Sequence, residues 1–157
     1  MKILIVYATF FGNTEKVAKM IQQHCGADAE LQHVNNVHSV IGYDMVIIGS
    51  PTRAFRPTKP IVNLVKSFGN ESTRMIAFFD TRVDPTTIEQ GFVHKMMKWF
   101  GYSNDTLEKI ARKKKLNVRL PSGEFCVKDS EGPLVDTIEE DVRKWVTMIC
   151  RSKEETV

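Results

Sequence analysis

Five short segments with the residue pattern of β-strands, three of them apolar runs, alternate along this chain with segments whose apolar residues recur at helical spacing. The five segments predict β-strands over residues 2–7, 29–34, 45–48, 74–79 and 116–120. Strands that alternate with helices favour a parallel sheet, because parallel neighbours need crossover connections, and these are almost always right-handed. The sequence therefore predicts an α/β fold, a three-layer doubly wound sandwich with helices on both faces of a parallel sheet.

The helices are bounded by capping residues and glycines. They are predicted over residues 14–25, after Thr58, from Asn104 or Asp105 to residue 115, and from a cap at Asp136 or Thr137 to a charged tail at residues 151–157. Apolar residues also share one helical face over residues 87–100, which predicts an inserted helix. Packing onto the domain is its expected role, and a lid or a methionine-rich surface for a partner is the alternative.

The first predicted strand leads into the helix at residues 14–25 through the turn Thr9-Phe10-Phe11-Gly12-Asn13-Thr14. This turn offers backbone N–H groups and short hydroxyl and amide donors, and the helix N-terminus adds the positive end of its dipole. A phosphate monoester suits these donors. The alternative, compatible with phosphate binding, is that Thr9 and Asn13 only cap the helix. At least one of the two phenylalanines is expected to be exposed, because both cannot be buried on a tight turn.

Two later stretches follow the third and fourth predicted strands. They are residues 49–58, Gly-Ser-Pro-Thr-Arg-Ala-Phe-Arg-Pro-Thr, and residues 79–82, Phe-Asp-Thr-Arg. Together with the first turn they resemble the cofactor loops of the flavodoxin family, in particular of short flavodoxin-like FMN-binding proteins of archaea and bacteria. The resemblance covers nearly all 157 residues. It implies a single flavodoxin-like domain with five strands in the order 2-1-3-4-5. The ligand site is then expected at the carboxyl ends of strands one and three, where the chain leaves the two strands in opposite directions.

The resemblance also implies FMN as the cofactor and assigns its contacts to the three loops. The phosphate contacts would be the hydroxyls of Thr9 and Thr14, the Asn13 amide and the backbone of Phe10, Phe11 and Gly12. The flavin ring would lie beside Ser50, Pro51, Thr52, Arg53, Ala54, Phe55, Asp80, Thr81 and Arg82. Phe55 is the candidate apolar wall, with an ordinary loop anchor as the alternative, because the chain lacks the tryptophan that flavodoxins often place there.

Charge separates this chain from the usually acidic flavodoxins, because its formal net charge is +3 and its isoelectric point is near 8.8. Arg53, Arg56 and Arg82 all fall at the expected flavin end. We expect them either to raise the potential at which bound flavin accepts its second electron, or to form ion pairs with Asp80 or Asp84. The basic segment at residues 109–115 predicts a solvated helix end, since no nucleic-acid-binding signature accompanies it.

Cysteine and histidine spacing argues against a metal site. Cys25, Cys126 and Cys150 contain no Cys-x-x-Cys pair, and the four histidines lack metal-ligand spacing, so free buried thiols and no bound metal are expected. No apolar run approaches the roughly 20 residues of a membrane span, and no signal-peptide pattern is present. These observations predict a cytoplasmic protein without a membrane partner.

The predicted function is an FMN-binding electron carrier that shuttles electrons between redox protein partners. Basic surface favours acidic partners, such as ferredoxin-like proteins, and nucleic acid is not expected to bind. The chain is expected to be a monomer or weak homodimer. No catalytic residue is assigned, because the flavin would supply the chemistry. Two alternatives stay open: an FMN-dependent NAD(P)H or quinone-type reductase, and a cofactor-free interaction module on the same fold.

Overall fold

The structure is a computed structural model that describes residues 1–53, 56–69, 74–84 and 101–151. Its centre is a parallel sheet of five strands in the order β2-β1-β3-β4-β5. The strands are β1 (Ile3–Tyr7), β2 (Ala29–His33), β3 (Met45–Pro51), β4 (Met75–Val83) and β5 (Asn117–Val127). The predicted fold class and strand order are confirmed.

Within the described residues, four α-helices connect and follow the strands. They are α1 (Asn13–Cys25), α2 (Lys59–Ser67), α3 (Ser103–Lys113) and α4 (Ile138–Arg151), with a short 3-10 turn at Val34–Asn36. The Thr58 backbone is extended at the N-terminus of α2, and Pro60 lies in the first turn as expected. The predicted helix at residues 87–100 lies outside the described residues, and so does the tail beyond residue 151.

Successive strand residues point to opposite faces of the sheet, and each face carries its own apolar core. Ile3, Ile5 and Ile47 pack under α1 and α4, together with Phe79 and Trp145. The intervening residues of the same strands form the second core with α2 and α3; they include Leu4, Val6, Val46, Ile48 and Phe78. Burial on both faces explains why β1 and β3 are continuous apolar runs without polar alternation.

Three strands are longer than the sequence predicts. β3 continues through Ser50 and Pro51, and β4 continues from Phe79 through Val83, so part of each predicted cofactor loop is strand. β5 extends to Val127 rather than ending at residue 120. The third helix begins at Ser103, before both predicted start residues. Polar residues in the β3 and β4 extensions pair with other groups of the fold, as in the ion pair of Asp80 and Arg82, and local apolar periodicity does not indicate such contacts.

Candidate functional site

A cavity of about 320 Å³ opens at the carboxyl edge of the sheet, beside the paired strands β1 and β3. The chain leaves these two strands towards opposite sides of the sheet, because β2 lies beyond β1 and β4 lies beyond β3. Its lining comes from all three loops singled out in the sequence and from the end of β5. The lining residues are Thr9, Phe10, Phe11, Asn13, Thr14, Pro51, Thr52, Arg53, Thr81, Arg82, Val83, Val127 and Ser130. Parallel doubly wound sheets bind their ligands at this place, and the volume lies at the small end of ligand-pocket sizes.

The turn between β1 and α1 contains a glycine in the left-handed backbone conformation. Gly12 has φ +90° and is the N-cap of α1, and a Cβ built on it would meet nothing within 4 Å. Its N–H donates to Thr9 Oγ1 at 2.9 Å, which tightens the turn. The first N–H groups of α1 have no acceptor inside the helix and lie at the positive end of its dipole.

The two polar residues that open α1 are almost completely buried. Asn13 does not cap the helix, so that alternative is wrong for it; its Nδ2 donates to the carbonyl oxygen of Glu131 at 3.1 Å. The Oγ1 atoms of Thr14 and Thr81 are hydrogen bonded at 2.8 Å, which ties the first loop to β4. Both hydroxyls therefore sit at fixed positions in the cavity lining.

An aromatic and cationic cluster forms the rim of the cavity. Phe10 and Phe11 are 59% and 47% exposed, which confirms that at least one of the pair is exposed. The Arg53 guanidinium carbon lies 3.3 Å from the Phe10 ring centroid and 5.7 Å from that of Phe11. Arg53 and Arg56 exchange two backbone hydrogen bonds, at 3.0 and 2.9 Å, and these bonds fix the backbone of Arg53 beside the first loop. Arg53 thus joins the first two loops across the cavity mouth.

A buried ion pair lies at the end of β4. Arg82 Nε and Nη2 donate to the two carboxylate oxygens of Asp80 at 2.8 and 2.7 Å, and Asp80 is fully buried. The Asn104 backbone N–H donates to the same carboxylate at 3.1 Å. The Arg82 guanidinium also lies 3.5 Å from the Tyr102 ring centroid. Of the two roles considered for Arg82, the ion pair with Asp80 is confirmed.

Burial and pairing act in opposite directions on the ionisable groups here. Burial raises the pKa of Asp80, although its hydrogen bonds and the positive charge of Arg82 oppose that rise. Burial acts to lower the pKa of Arg82, but Asp80 outweighs it and the net shift is upward. Burial also raises the pKa of Tyr102, against the influence of Arg82. Since the Asp80 and Arg82 charges compensate each other, Arg82 presents little free positive charge to a ligand.

Residues behind the cavity lock its wall to α3. Ser50 is fully buried, and its Oγ accepts the N–H of Thr58 at 3.0 Å, so it supports the second loop without lining the cavity. Thr52 Oγ1 accepts the Ser103 N–H at 3.1 Å, and Ser103 Oγ donates to the Pro51 carbonyl oxygen at 3.0 Å. The start of α3 is therefore fixed directly to the second cofactor loop.

Two of the predicted site residues, Ala54 and Phe55, lie outside the described residues. Conversely, sequence reasoning missed the segment after β5. Val127 and Ser130 line the cavity, and the Glu131 carbonyl oxygen holds Asn13. The signal that could have found this segment is the turn-rich run at residues 129–133, because it follows a fifth strand whose carboxyl end meets the same edge.

Comparison with known proteins places these features in a family. A family model described as a flavodoxin domain matches residues 4–123. The chain belongs to the flavodoxin family. No curated protein matches this flavodoxin-family chain.

Solved structures that are similar to it share its fold at low identity. An archaeal flavodoxin is 18% identical with a TM-score of 0.62, covering 95% of this chain and 96% of that one. The Fusobacterium nucleatum flavodoxin bound to flavin mononucleotide is 16% identical with a TM-score of 0.65, over 95% and 96% of the two chains. The rubredoxin oxygen:oxidoreductase of Desulfovibrio gigas is 16% identical with a TM-score of 0.70, covering 96% of this chain. The chain spans only 35% of that longer protein.

The described residues contain no group of three or more histidine, cysteine or acidic residues placed to hold a metal ion. The helices of residues 1–53, 56–69, 74–84 and 101–151 include none with both the length and the apolar character needed to cross a membrane.

Proposed function

We propose that this flavodoxin-family chain binds FMN in the cavity at the carboxyl edge of its sheet and shuttles electrons between redox proteins. The observation that carries the proposal is the convergence of three loops on one cavity, with the N-terminus of α1 opening into it. The FMN-bound Fusobacterium nucleatum flavodoxin, which has the same fold, supports the choice of cofactor.

The phosphate is proposed to lie against the first turn of α1. Backbone N–H groups there have no helical acceptor, and Gly12 leaves open space where another residue would carry a Cβ. Thr9 Oγ1 and Thr14 Oγ1 each keep hydrogen-bonding capacity beyond the single bond that each makes. The Arg53 guanidinium is the exposed cation of the cavity lining, and it would offset part of the double negative charge of the phosphate.

The flavin ring is proposed to extend from this loop along Pro51 and Thr52 towards Thr81. The Ser103 and Thr52 hydrogen bonds hold that wall rigid. The ion pair of Asp80 and Arg82 anchors the end of β4 behind it. When bound, FMN supplies the one- and two-electron chemistry, and the residues of this chain bind it, orient it and limit its contact with water.

The partners are proposed to be redox proteins with acidic docking surfaces. Arg53 is exposed at the cavity rim, Arg56 is exposed close to it, and the chain carries formal net charge +3. Opposite charge on a partner would raise the rate of encounter, and salt would reduce that gain. The two exposed phenylalanines beside Arg53 would supply apolar contact at the same face.

The test is electron transfer from the reduced, FMN-loaded protein to an acidic ferredoxin-type protein, followed by stopped-flow absorbance. We expect a second-order rate that falls as ionic strength rises from about 20 to 500 mM, because screening lengths shorten over that range. Transfer that ignores ionic strength would contradict the acidic-partner proposal. Rapid NAD(P)H oxidation by the loaded protein alone would instead favour the reductase alternative, and failure to bind FMN would favour the cofactor-free module.

A further inference from the structure

The second large cavity lies at the opposite edge of the sheet, where α1 and α4 end side by side. It has a volume of about 630 Å³ and is lined by Cys25, His24, Asp28, Cys150 and Arg151, among others. Cys25 is the last residue of α1, and Cys150 is the penultimate residue of α4. The proposed cofactor site makes no use of these two thiols.

The two cysteines meet although they are far apart in sequence. Both pack against the apolar core that α1 and α4 share, and both are only partly buried. Their thiols lie close enough for each to shift the pKa of the other. They also open on one solvent-accessible cavity, so a small reagent can reach them. The third cysteine, Cys126, lies on β5 and does not line this cavity.

The two thiols have different surroundings. Interaction with Cys25 lowers the pKa of Cys150 to about 7 against the effect of burial, and the positive charge of Arg119 acts in the same direction. The Arg119 side chain is held beside Cys150 by donating from Nε to the Ile149 carbonyl oxygen at 3.3 Å. The same contact and burial raise the pKa of Cys25. The pKa of Cys126 is also raised, mainly by burial and to a smaller extent by the negative charge of Asp84.

We propose that Cys25 and Cys150 form a redox-active thiol pair that small disulfides convert to an intramolecular disulfide. In the first step the Cys150 thiolate attacks one sulfur of glutathione disulfide, the reagent's S–S bond breaks, and one glutathione thiolate leaves. In the second step Cys25 gives up its proton to water, and its sulfur attacks the Cys150 sulfur. The second glutathione thiolate then leaves. The two electrons of the cysteine pair thus reduce one disulfide to two glutathione molecules.

This disulfide would connect the ends of α1 and α4 and close residues 25–150 into one covalent loop. A cross-link across so long a segment restricts the unfolded chain strongly, so the oxidised form is expected to unfold at a Tm higher by roughly 5 °C or more. The reaction requires no flavin, so its outcome is separate from that of the proposed cofactor site.

The experiment treats the reduced full chain with glutathione disulfide and follows it by intact mass and by peptide mapping without reductant. We expect loss of two hydrogens per chain, a Cys25–Cys150 cross-linked peptide, one remaining thiol at Cys126, and a Tm rise that dithiothreitol reverses. The initial rate should rise with pH to a plateau just above the Cys150 pKa of about 7. The other ionisable side chains at the pair are His24, Asp28, Arg119 and Arg151.

Single variants separate the two steps. Cys25→Ser should stop at a stable mixed disulfide with one glutathione on Cys150, and Cys150→Ser should lose the fast reaction. Glutathione that stays on Cys150 in the parent chain, a cross-linked dimer, or Cys126 reacting as fast as Cys150 would each overturn the proposal. A lower Tm after closure would also overturn it. Mapping of the parent chain decides the matter even if a variant fails to fold.

Discussion

Replacing Arg82 with methionine tests the buried ion pair most sharply, because it removes one partner and leaves Asp80 in place. Asp80 is fully buried and receives two hydrogen bonds from Arg82 and one from the Asn104 backbone. Removing one member of a buried pair costs about 3–5 kcal/mol, since the remaining charge is neither solvated nor compensated. We therefore expect Arg82→Met to lower the free energy of unfolding by about 3–5 kcal/mol at pH 7.5.

The sign of the pH dependence follows from the same contacts. In the wild-type chain burial already raises the pKa of Asp80, and Arg82 opposes that rise. Without Arg82 the pKa must rise further, and each unit corresponds to about 1.4 kcal/mol. A raised pKa in the folded state means that stability is greatest at low pH and is lost as pH rises through that pKa. The deficit of Arg82→Met should therefore shrink to about 1–2 kcal/mol at pH 5.

The assay is equilibrium unfolding in urea, followed by the fluorescence of Trp145. This residue is 4% exposed and packs against Phe79 and Phe125, so unfolding changes its surroundings. A Trp99→Phe background leaves Trp145 as the only tryptophan. The matched control adds Asp80→Asn to Arg82→Met, which removes the stranded charge and should recover much of the loss. A deficit below about 1 kcal/mol, or one that is equal at pH 5 and 7.5, would refute the reasoning.

Two further pairs of variants test the site and the sheet. Arg53→Met should weaken FMN binding about tenfold, which corresponds to the loss of one charged contact of about 1.4 kcal/mol. Arg56→Met should not weaken it, because it removes the same charge from the residue paired with Arg53, and that residue does not line the cavity. Equal effects of the two variants in a fluorescence titration would contradict the assignment. Gly49→Ala should lower the free energy of unfolding in urea by more than about 3 kcal/mol, because the added Cβ would overlap the buried Phe79 ring. Gly12→Ala should lower it by only about 1 kcal/mol, the cost of a positive φ, because the added Cβ meets no atom. The reverse order would contradict the close contact between Gly49 on β3 and Phe79 on β4.

The strands and the two-faced core could be predicted because they depend on local patterns. The apolar runs of β1 and β3 carry the signature of strands covered on both faces, and the resemblance to flavodoxins supplies the order. The turn before α1 could also be predicted from local sequence, because Gly12 and its polar neighbours precede an amphipathic helix.

The end of β4 could not be predicted in the same way. A run of aspartate, threonine and arginine indicates a loop, yet Asp80 and Arg82 are buried in a strand because they neutralise each other. The further stabilising contact comes from Asn104, which is remote in sequence. The hydrogen bond from Asn13 to the Glu131 carbonyl oxygen poses the same difficulty. Such contacts depend on the three-dimensional fold, so periodicity and local propensity do not predict them.

The most direct test of the central proposal is a titration of the flavin-free protein with FMN and, in parallel, with riboflavin, followed by quenching of flavin fluorescence. Riboflavin has the same ring system but lacks the phosphate, so the ratio of the two dissociation constants isolates the contribution of the phosphate contacts. We predict that FMN binds at least about 100-fold more tightly, which corresponds to about 2.7 kcal/mol from several charged hydrogen bonds. Equal affinities, or no binding of either ligand, would contradict the proposal that the turn before α1 holds the phosphate of FMN.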